Sequence, residues 1–254
     1  MESRELFYTP YTSFTSYTSR IKKRMTRPTR GPGRVTLARA LSKLGLASRT
    51  DARALILGGR VRVDGRVALD PAALVIPERM AVSIDGQARA RDARRVLLFH
   101  KPRGTVTTRR DPQGRRTVFD VLGAAGTGLI AIGRLDLAST GLLLFTNDTQ
   151  LAHRLTDPGF AVPRTYVVTV RGRVTEDTAR RIERGIDGLS AQSVEIRKAS
   201  GRETHLIVTL IEGKNRELRR LFEAYGHEVT RVHRIAFGEF ELGELRPGEW
   251  REGP

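Results

Sequence analysis

The sequence predicts an α+β fold in two parts: a small helix–helix–hairpin domain, then a larger domain with a mixed, mainly antiparallel sheet and flanking helices. In the first part, leucines at helical spacing give way to short strands around Asp64-Gly65. In the second part, strand-like apolar runs alternate with a few helical segments, and several runs are joined by short turns. We expect a disordered basic tail at 1–34, a first domain at 35–85, a linker at 86–95 and a second domain at 96–254.

The charge of the chain favours a polyanionic partner. The formal net charge is +17 and the pI is about 11.2. Such self-repulsion does not help folding, whereas neutralisation of phosphates explains it. Nucleic acid is the first candidate and an anionic membrane surface the second. Arginines outnumber lysines, which suits RNA because guanidinium groups fork and stack, although a G+C-rich genome produces the same bias.

Other residue types exclude several classes of chemistry. The chain has no cysteine, which excludes disulfides and thiolate metal sites, and its five histidines lack metal-binding spacings, so we expect no metal. No apolar run approaches the length of a membrane span, and the N-terminus lacks a secretory signal. We therefore expect a cytoplasmic protein without a membrane partner, and self-repulsion favours a monomer.

The first 34 residues form the predicted tail. They are rich in Ser, Thr and Tyr and then turn basic, and Pro28 and Pro32 disfavour regular structure. The segment is an RNA-binding arm, a tail without such a role, an organellar transit peptide, or sequence upstream of a translation start at Met25.

The first domain contains two predicted helices and a hairpin. One helix follows Thr36, and a second begins near Ser48 and ends at Gly58-Gly59. The dipeptide Asp64-Gly65 suits a type I′ turn between Val61–Val63 and Arg66–Val67, and residues 81–84 add a further strand.

Basic side chains concentrate on this domain. Like charges four apart on a helix destabilise it mildly, and a bound phosphate backbone would relieve the repulsion. The alternative is a solvated face, but the whole set favours RNA binding. The predicted RNA-binding residues here are Arg39, Lys43, Arg49, Arg53, Arg60 and Arg62.

The second domain reads as six strands and three helices. The strands are expected at 96–99, 142–145, 166–170, 194–197, 205–211 and 229–236. The helices are expected at 150–155, 176–184 and 217–224.

One carboxylate stands out in this domain. Asp136 lies between Leu135 and Leu137, just before the apolar run Leu142–Phe145. A charge among apolar neighbours is costly unless it is paired or used in chemistry. The alternative is an Asp capped by the backbone of a turn.

Four ordered segments resemble the motifs of pseudouridine synthases, in particular the branch that modifies bacterial ribosomal RNA. They are Lys101–Gly104, Gly133–Asp136 with Ser139–Leu143, Arg164–Val168 and Glu212–Arg220. Residues 35–85 resemble the alpha-L RNA-binding module that accompanies these enzymes. The resemblance implies isomerisation of uridine to pseudouridine without a cofactor. Residues 111–115 and 117–121 and the Arg164-Thr165-Tyr166 strand look more like members that act on large-subunit RNA than on small-subunit RNA.

The resemblance also assigns roles. Asp136 acts at the sugar, as a nucleophile on carbon 1′ or as a base at carbon 2′. Arg219 pairs with Asp136, and Tyr166 contacts the base. The remaining assignments are Arg134 as the residue that enters the gap left by a flipped nucleotide or holds the displaced backbone, Lys101 and Arg103 as RNA or structural contacts, and Leu218 and Ile235 as the apolar wall. Glu217 stands where many relatives carry glutamine.

Three functions compete at this point. The first is an enzyme that isomerises uridine in ribosomal RNA, acting on large-subunit RNA or alternatively on small-subunit RNA. The second is a non-catalytic ribosome-assembly factor that binds the same RNA. The third, a DNA-binding regulator, rests only on the net charge and the short paired helices.

Overall fold

The computed structural model describes residues 33–89 and 93–254, without the side chains of Glu78 and Arg89. The predicted tail lies outside these residues except for Gly33 and Arg34. Within the described part, no helix is long and apolar enough to cross a membrane. The same residues include no group of three or more His, Asp or Glu side chains placed to hold a metal ion.

The first part is a helix pair packed on small antiparallel sheets. Its elements are β1 (Val35–Thr36), α1 (Leu37–Lys43), α2 (Arg49–Leu57), β2 (Val61–Val63), β3 (Arg66–Val67), β4 (Leu74–Val75), β5 (Val82–Ile84) and β6 (Gln87–Arg89). Four strands pair in the order β3-β2-β5-β6, and β1 pairs with β4. Leu37 and Leu41 of α1 and Ile56 of α2 are buried together with Val61, so the apolar stripes of both helices form one core.

Turns with left-handed residues set the register of this sheet. Asp64 and Gly65 have φ angles of 48° and 80°, as a type I′ turn requires, which confirms the predicted hairpin. Asp85 and Gly86 have φ angles of 53° and 76° and join β5 to β6 in the same way. Residues 87–89, which belong to the linker predicted at 86–95, form a strand in the structure.

The second part is built on a nine-stranded sheet. Its strands are β7 (Val96–Lys101), β8 (Ile130–Ile132), β9 (Thr140–Thr146), β10 (Arg164–Arg171), β11 (Ser193–Ala199), β12 (Glu203–Leu210), β13 (Val229–Phe237), β14 (Phe240–Glu241) and β15 (Trp250–Glu252). Seven strands follow the order β11-β12-β10-β13-β9-β7-β15, while β14 pairs with β13 and β8 with β9. Only β9 and β13 run parallel among these pairs. The predicted mixed, mainly antiparallel sheet is confirmed.

Both faces of the central strands are covered. Leu143 and Phe145 of β9 pack into one apolar cluster, and Leu142 and Leu144 pack into another. Successive strand residues point to opposite faces, so an unbroken apolar run marks a strand that is buried on both sides. The helices that accompany the sheet are α3 (Val118–Leu122), α4 (Thr149–Thr156), α5 (Glu176–Arg184) and α6 (Glu217–Glu223).

Candidate active site

Asp136 lies in the loop between β8 and β9. The loop turns at this residue, where the Ser139 N–H donates to the Asp136 carbonyl oxygen at 3.0 Å. Leu135 is buried, but Leu137 is 42% exposed and Asp136 is itself exposed. The expectation of a carboxylate enclosed by apolar neighbours is therefore wrong. Only one of the two leucines faces the core, and the exposed carboxylate forms no side-chain hydrogen bond or ion pair with any described residue.

Two cavities meet at this loop. The larger has a volume of about 610 Å³ and the smaller about 160 Å³. Three residues line both of them: Asp136, Arg216 and Arg219. The candidate carboxylate is thus accessible from both cavities, and the same two arginines line each of them.

The smaller cavity has a part-apolar wall. Tyr166 of β10, Leu218 of α6 and Val232 of β13 line it, and each is less than a tenth exposed. A tyrosine ring beside two aliphatic side chains forms a surface on which a planar base can stack, and the tyrosine hydroxyl can form a hydrogen bond. We call this space the base cavity.

Ile235 does not line either cavity, contrary to the sequence prediction. It lies at a β-bulge, because Thr165 pairs with Ala236 while Tyr166 pairs with Arg234. A bulge adds a residue to one strand and changes which side chains face a given side. Val232 provides the apolar contact in place of Ile235.

The larger cavity is lined by arginines, and we call it the arginine cavity. Besides Arg216 and Arg219, it is lined by Arg103, as the sequence had suggested for an RNA contact, and by Arg171. Arg171 forms an ion pair with Glu228 at 2.6 Å. A concave surface with this charge suits the phosphates of a nucleic acid.

The predicted ion pair between Asp136 and Arg219 is not formed among the described residues. Arg219 instead donates from Nη1 to the Val229 carbonyl oxygen at 2.5 Å. Because Asp136 is exposed to water, it does not need a protein cation in the free protein. Both side chains nevertheless line the same two cavities.

Lys101 is buried, which contradicts its prediction as an RNA contact and leaves the structural alternative. None of it is exposed, and its ammonium donates to the carbonyl oxygens of Ser139 at 2.8 Å and Pro102 at 3.1 Å. Burial lowers the pKa of Lys101 to about 8, and the charge of Asp136 opposes this lowering. The lysine thus ties the end of β7 to the loop that carries Asp136.

Arg134 is exposed and lines the base cavity. This position beside the candidate carboxylate is compatible with a contact to displaced RNA. Arg103 is exposed at the arginine cavity. Their roles stay predictions.

The basic residues of the first part remain on its surface. Arg39, Arg49 and Arg53 are exposed, and Lys43 is partly buried. Arg60 binds both carboxylate oxygens of Asp85, at 2.7 and 2.6 Å, and Arg62 donates to the Gly65 carbonyl oxygen at 3.2 Å. These last two side chains already hold the hairpin region, so the helix residues are the more available RNA contacts.

Glu217, which stands where many relatives carry glutamine, is buried beside the base cavity. The residue is 3% exposed and lines the base cavity. Its Oε2 accepts from the Lys214 N–H at 3.2 Å, while Oε1 is buried and has no hydrogen-bond partner among the described residues. Burial raises the pKa of Glu217 above its ordinary value.

A close backbone approach joins the Asp136 loop to the base cavity. Gly141 of β9 pairs with Arg234 of β13, and an added Cβ would lie 2.2 Å from the Arg234 carbonyl oxygen. Next to this contact, Thr140 Oγ1 lies 2.8 Å from His233 Nδ1. Burial, followed by the neighbouring His100 and Arg231, lowers the pKa of His233 to about 4. The parallel strand pair thus fixes the loop against the wall that holds Val232.

Comparison with known proteins identifies relatives over most of the chain. Residues 95–224 match the RNA pseudouridylate synthase family, and residues 35–78 match the S4 domain. "Ribosomal large subunit pseudouridine synthase B" of Pseudomonas aeruginosa is 42% identical over 85% of this chain, and the chain spans 58% of that protein's length. The protein of the same description from Salmonella typhimurium is 40% identical over 85% of the chain and 78% of its own length.

Two further matches cover nearly whole proteins. An "Uncharacterized RNA pseudouridine synthase" of Aquifex aeolicus is 37% identical over 86% of this chain and 90% of its own length. A solved structure described as a pseudouridylate synthase superposes with a TM-score of 0.60 at 25% identity, covering 87% of this chain and 96% of that one.

Proposed function

The chain belongs to the RNA pseudouridylate synthase family, and we propose that it isomerises uridine to pseudouridine in ribosomal RNA of the large subunit. The observation that carries the proposal is the position of Asp136 where a base cavity and an arginine cavity meet. A nucleotide presents its base and its phosphates on different sides of the ribose. The position of this carboxylate between the two cavities supports a role for it at the sugar.

The reaction rearranges one nucleotide and consumes nothing else. The bond from ribose carbon 1′ to N1 breaks, the uracil turns, and a bond from carbon 1′ to carbon 5 forms. The hydrogen on carbon 5 leaves as a proton, and N1 gains one. Asp136 acts at the sugar, as a nucleophile on carbon 1′ or as the base that removes a proton from carbon 2′.

The base cavity holds the uracil while it is detached. Tyr166 contacts its face, and Leu218 and Val232 form the apolar wall. Enclosure matters because a detached base that diffuses away leaves an abasic site. Arg219 lines both cavities and can move from the Val229 carbonyl oxygen to a substrate group or to Asp136 once water is excluded.

The RNA must deliver its target nucleotide to this site. A ribose inside a stacked helix is out of reach, so the nucleotide has to flip out. Arg134, exposed two residues before Asp136, takes up the vacated space or holds the displaced backbone. The S4 domain binds an adjoining part of the RNA through the exposed arginines of α1 and α2, which are Arg39, Arg49 and Arg53. The enzyme works as a monomer in the cytoplasm.

Release of the carbon 5 hydrogen gives a direct assay. Purified protein is incubated with large-subunit or small-subunit transcripts that carry tritium on carbon 5 of uridine. We expect tritium release from large-subunit RNA with the wild-type protein and none with Asp136→Asn, an exposed and nearly isosteric change that leaves the fold intact. Tritium release from small-subunit RNA alone would show that the substrate is small-subunit RNA, not large-subunit RNA. Binding without release from either RNA would favour a non-catalytic assembly factor.

A further inference from the structure

We propose that Arg216 is an RNA-positioning residue that binds the phosphate next to the flipped nucleotide. This inference rests on the proposed function. Arg216 lies within the motif segment Glu212–Arg220, but neither the resemblance nor the comparisons give it a role. Arg216 lines both cavities, a property that it shares with Asp136 and Arg219. A side chain at this junction can reach the ribose end of the backbone while the base occupies its own cavity.

The guanidinium of Arg216 is available for a ligand. Of the arginines that line the arginine cavity, Arg171 is paired with Glu228, and Arg219 donates to the Val229 carbonyl oxygen. Arg216 is exposed, and the described part of the chain offers its side chain no hydrogen bond or ion pair. A guanidinium can bind two oxygens of one phosphate with parallel hydrogen bonds.

The backbone conformation of Arg216 indicates that its side chain has a role other than stabilising the turn. Its φ and ψ angles are 49° and 33°, in the left-handed region, directly before α6. Glycine adopts this conformation without steric cost, whereas a residue with a Cβ loses stability there. Strain of this kind collects at functional sites. The arginine would be a poor choice for the turn alone, and it carries its charge to the junction of the cavities.

Arg216→Gly separates a functional from a structural role, because the two predict opposite changes in stability. We expect the melting temperature of Arg216→Gly to rise, since glycine removes the left-handed strain. We expect RNA affinity to fall, and the slope of log K against log salt to decrease in magnitude by about 0.7–0.9, the loss of one phosphate contact. Arg216→Gln, which keeps the strain and most of the side chain, should lose the same phosphate contact. Arg216→Lys should restore part of the affinity through its charge.

Arg220→Ala is the matched control. Arg220 is exposed one helical turn beyond Arg216 but lines neither cavity. We expect the single-turnover rate of tritium release by Arg220→Ala to equal that of the wild-type protein. Arg216→Gly and Arg216→Gln should reduce this rate about 10-fold or more, because the ribose is misplaced.

The binding measurement uses a fluorescently labelled large-subunit transcript and does not depend on turnover. If Arg216→Gly and Arg216→Gln bind this RNA with the wild-type affinity and salt slope, the proposal is overturned. A melting temperature of Arg216→Gly below that of the wild-type protein overturns it as well, because the arginine would then hold the turn. A wild-type protein that releases no tritium refutes the proposed function, and the salt slopes still decide whether Arg216 contacts phosphate.

Discussion

Gly141→Ala tests how the Asp136 loop is held against the base cavity. The added Cβ would lie 2.2 Å from the Arg234 carbonyl oxygen, 2.6 Å from its nitrogen and 2.9 Å from its carbonyl carbon. Favourable contacts between non-bonded atoms begin near 3.5 Å, so β9 and β13 must separate by about 1 Å. We expect a loss of about 1–2 kcal/mol from the φ of +104° and about 1–3 kcal/mol from overpacking, or about 2–5 kcal/mol together.

Gly128→Ala isolates the backbone contribution. Gly128 has a φ of +74°, but an added Cβ would meet no atom within 4 Å. Gly128→Ala should therefore lose only the backbone contribution of about 1–2 kcal/mol. Urea unfolding gives the free energy of unfolding of both variants. In folded protein, a displacement of about 1 Å between Asp136 and Val232 should slow single-turnover tritium release about 100-fold in Gly141→Ala only. Equal losses of stability in the two variants, together with a wild-type rate for Gly141→Ala, would refute the role assigned to the β9–β13 contact.

Two further predictions concern buried basic side chains. His233 has a folded pKa of about 4 against an ordinary 6.5, so the unfolded chain takes up a proton first as the pH falls. The unfolding free energy should drop by about 3 kcal/mol between pH 6.5 and pH 4. His233→Gln should flatten this part of the profile, and an unchanged slope would contradict the assignment. Lys101→Met should leave the salt dependence of RNA binding unchanged, since no part of Lys101 is exposed, but should lower kcat about 10- to 100-fold by freeing the Asp136 loop. A reduced salt slope would instead make Lys101 a phosphate contact.

Much of the fold was predictable because its signals are local. The strands at 142–145 and 166–170 and the Asp64-Gly65 hairpin all lie where residue patterns placed them. The Asp85-Gly86 turn carries the same signal as Asp64-Gly65, so the strand after it was also within reach of the sequence. The short strands β8, β14 and β15 have two or three residues each, too few to show a periodic pattern, and β15 is moreover defined by its pairing with the distant β7.

The sequence predicted which residues form the candidate site better than it predicted the contacts that they make. The motifs led to Asp136, Tyr166 and Arg219, and the structure gathers these residues around the base cavity. The motif order could not show that Lys101 is buried, since burial depends on how the loop at Ser139 closes over it. Nor could it foresee the bulge at Ile235, which depends on the register between β10 and β13.

Pseudouridine mapping in cells determines whether Asp136 is required for the proposed isomerisation of uridine in ribosomal RNA. Carbodiimide modification and primer extension are applied to ribosomal RNA from cells with the intact gene or with Asp136→Asn. We expect a stop in large-subunit RNA that disappears in the mutant, although the mutant protein is present, folded and bound to RNA. An unchanged set of stops under those conditions would contradict this requirement for Asp136.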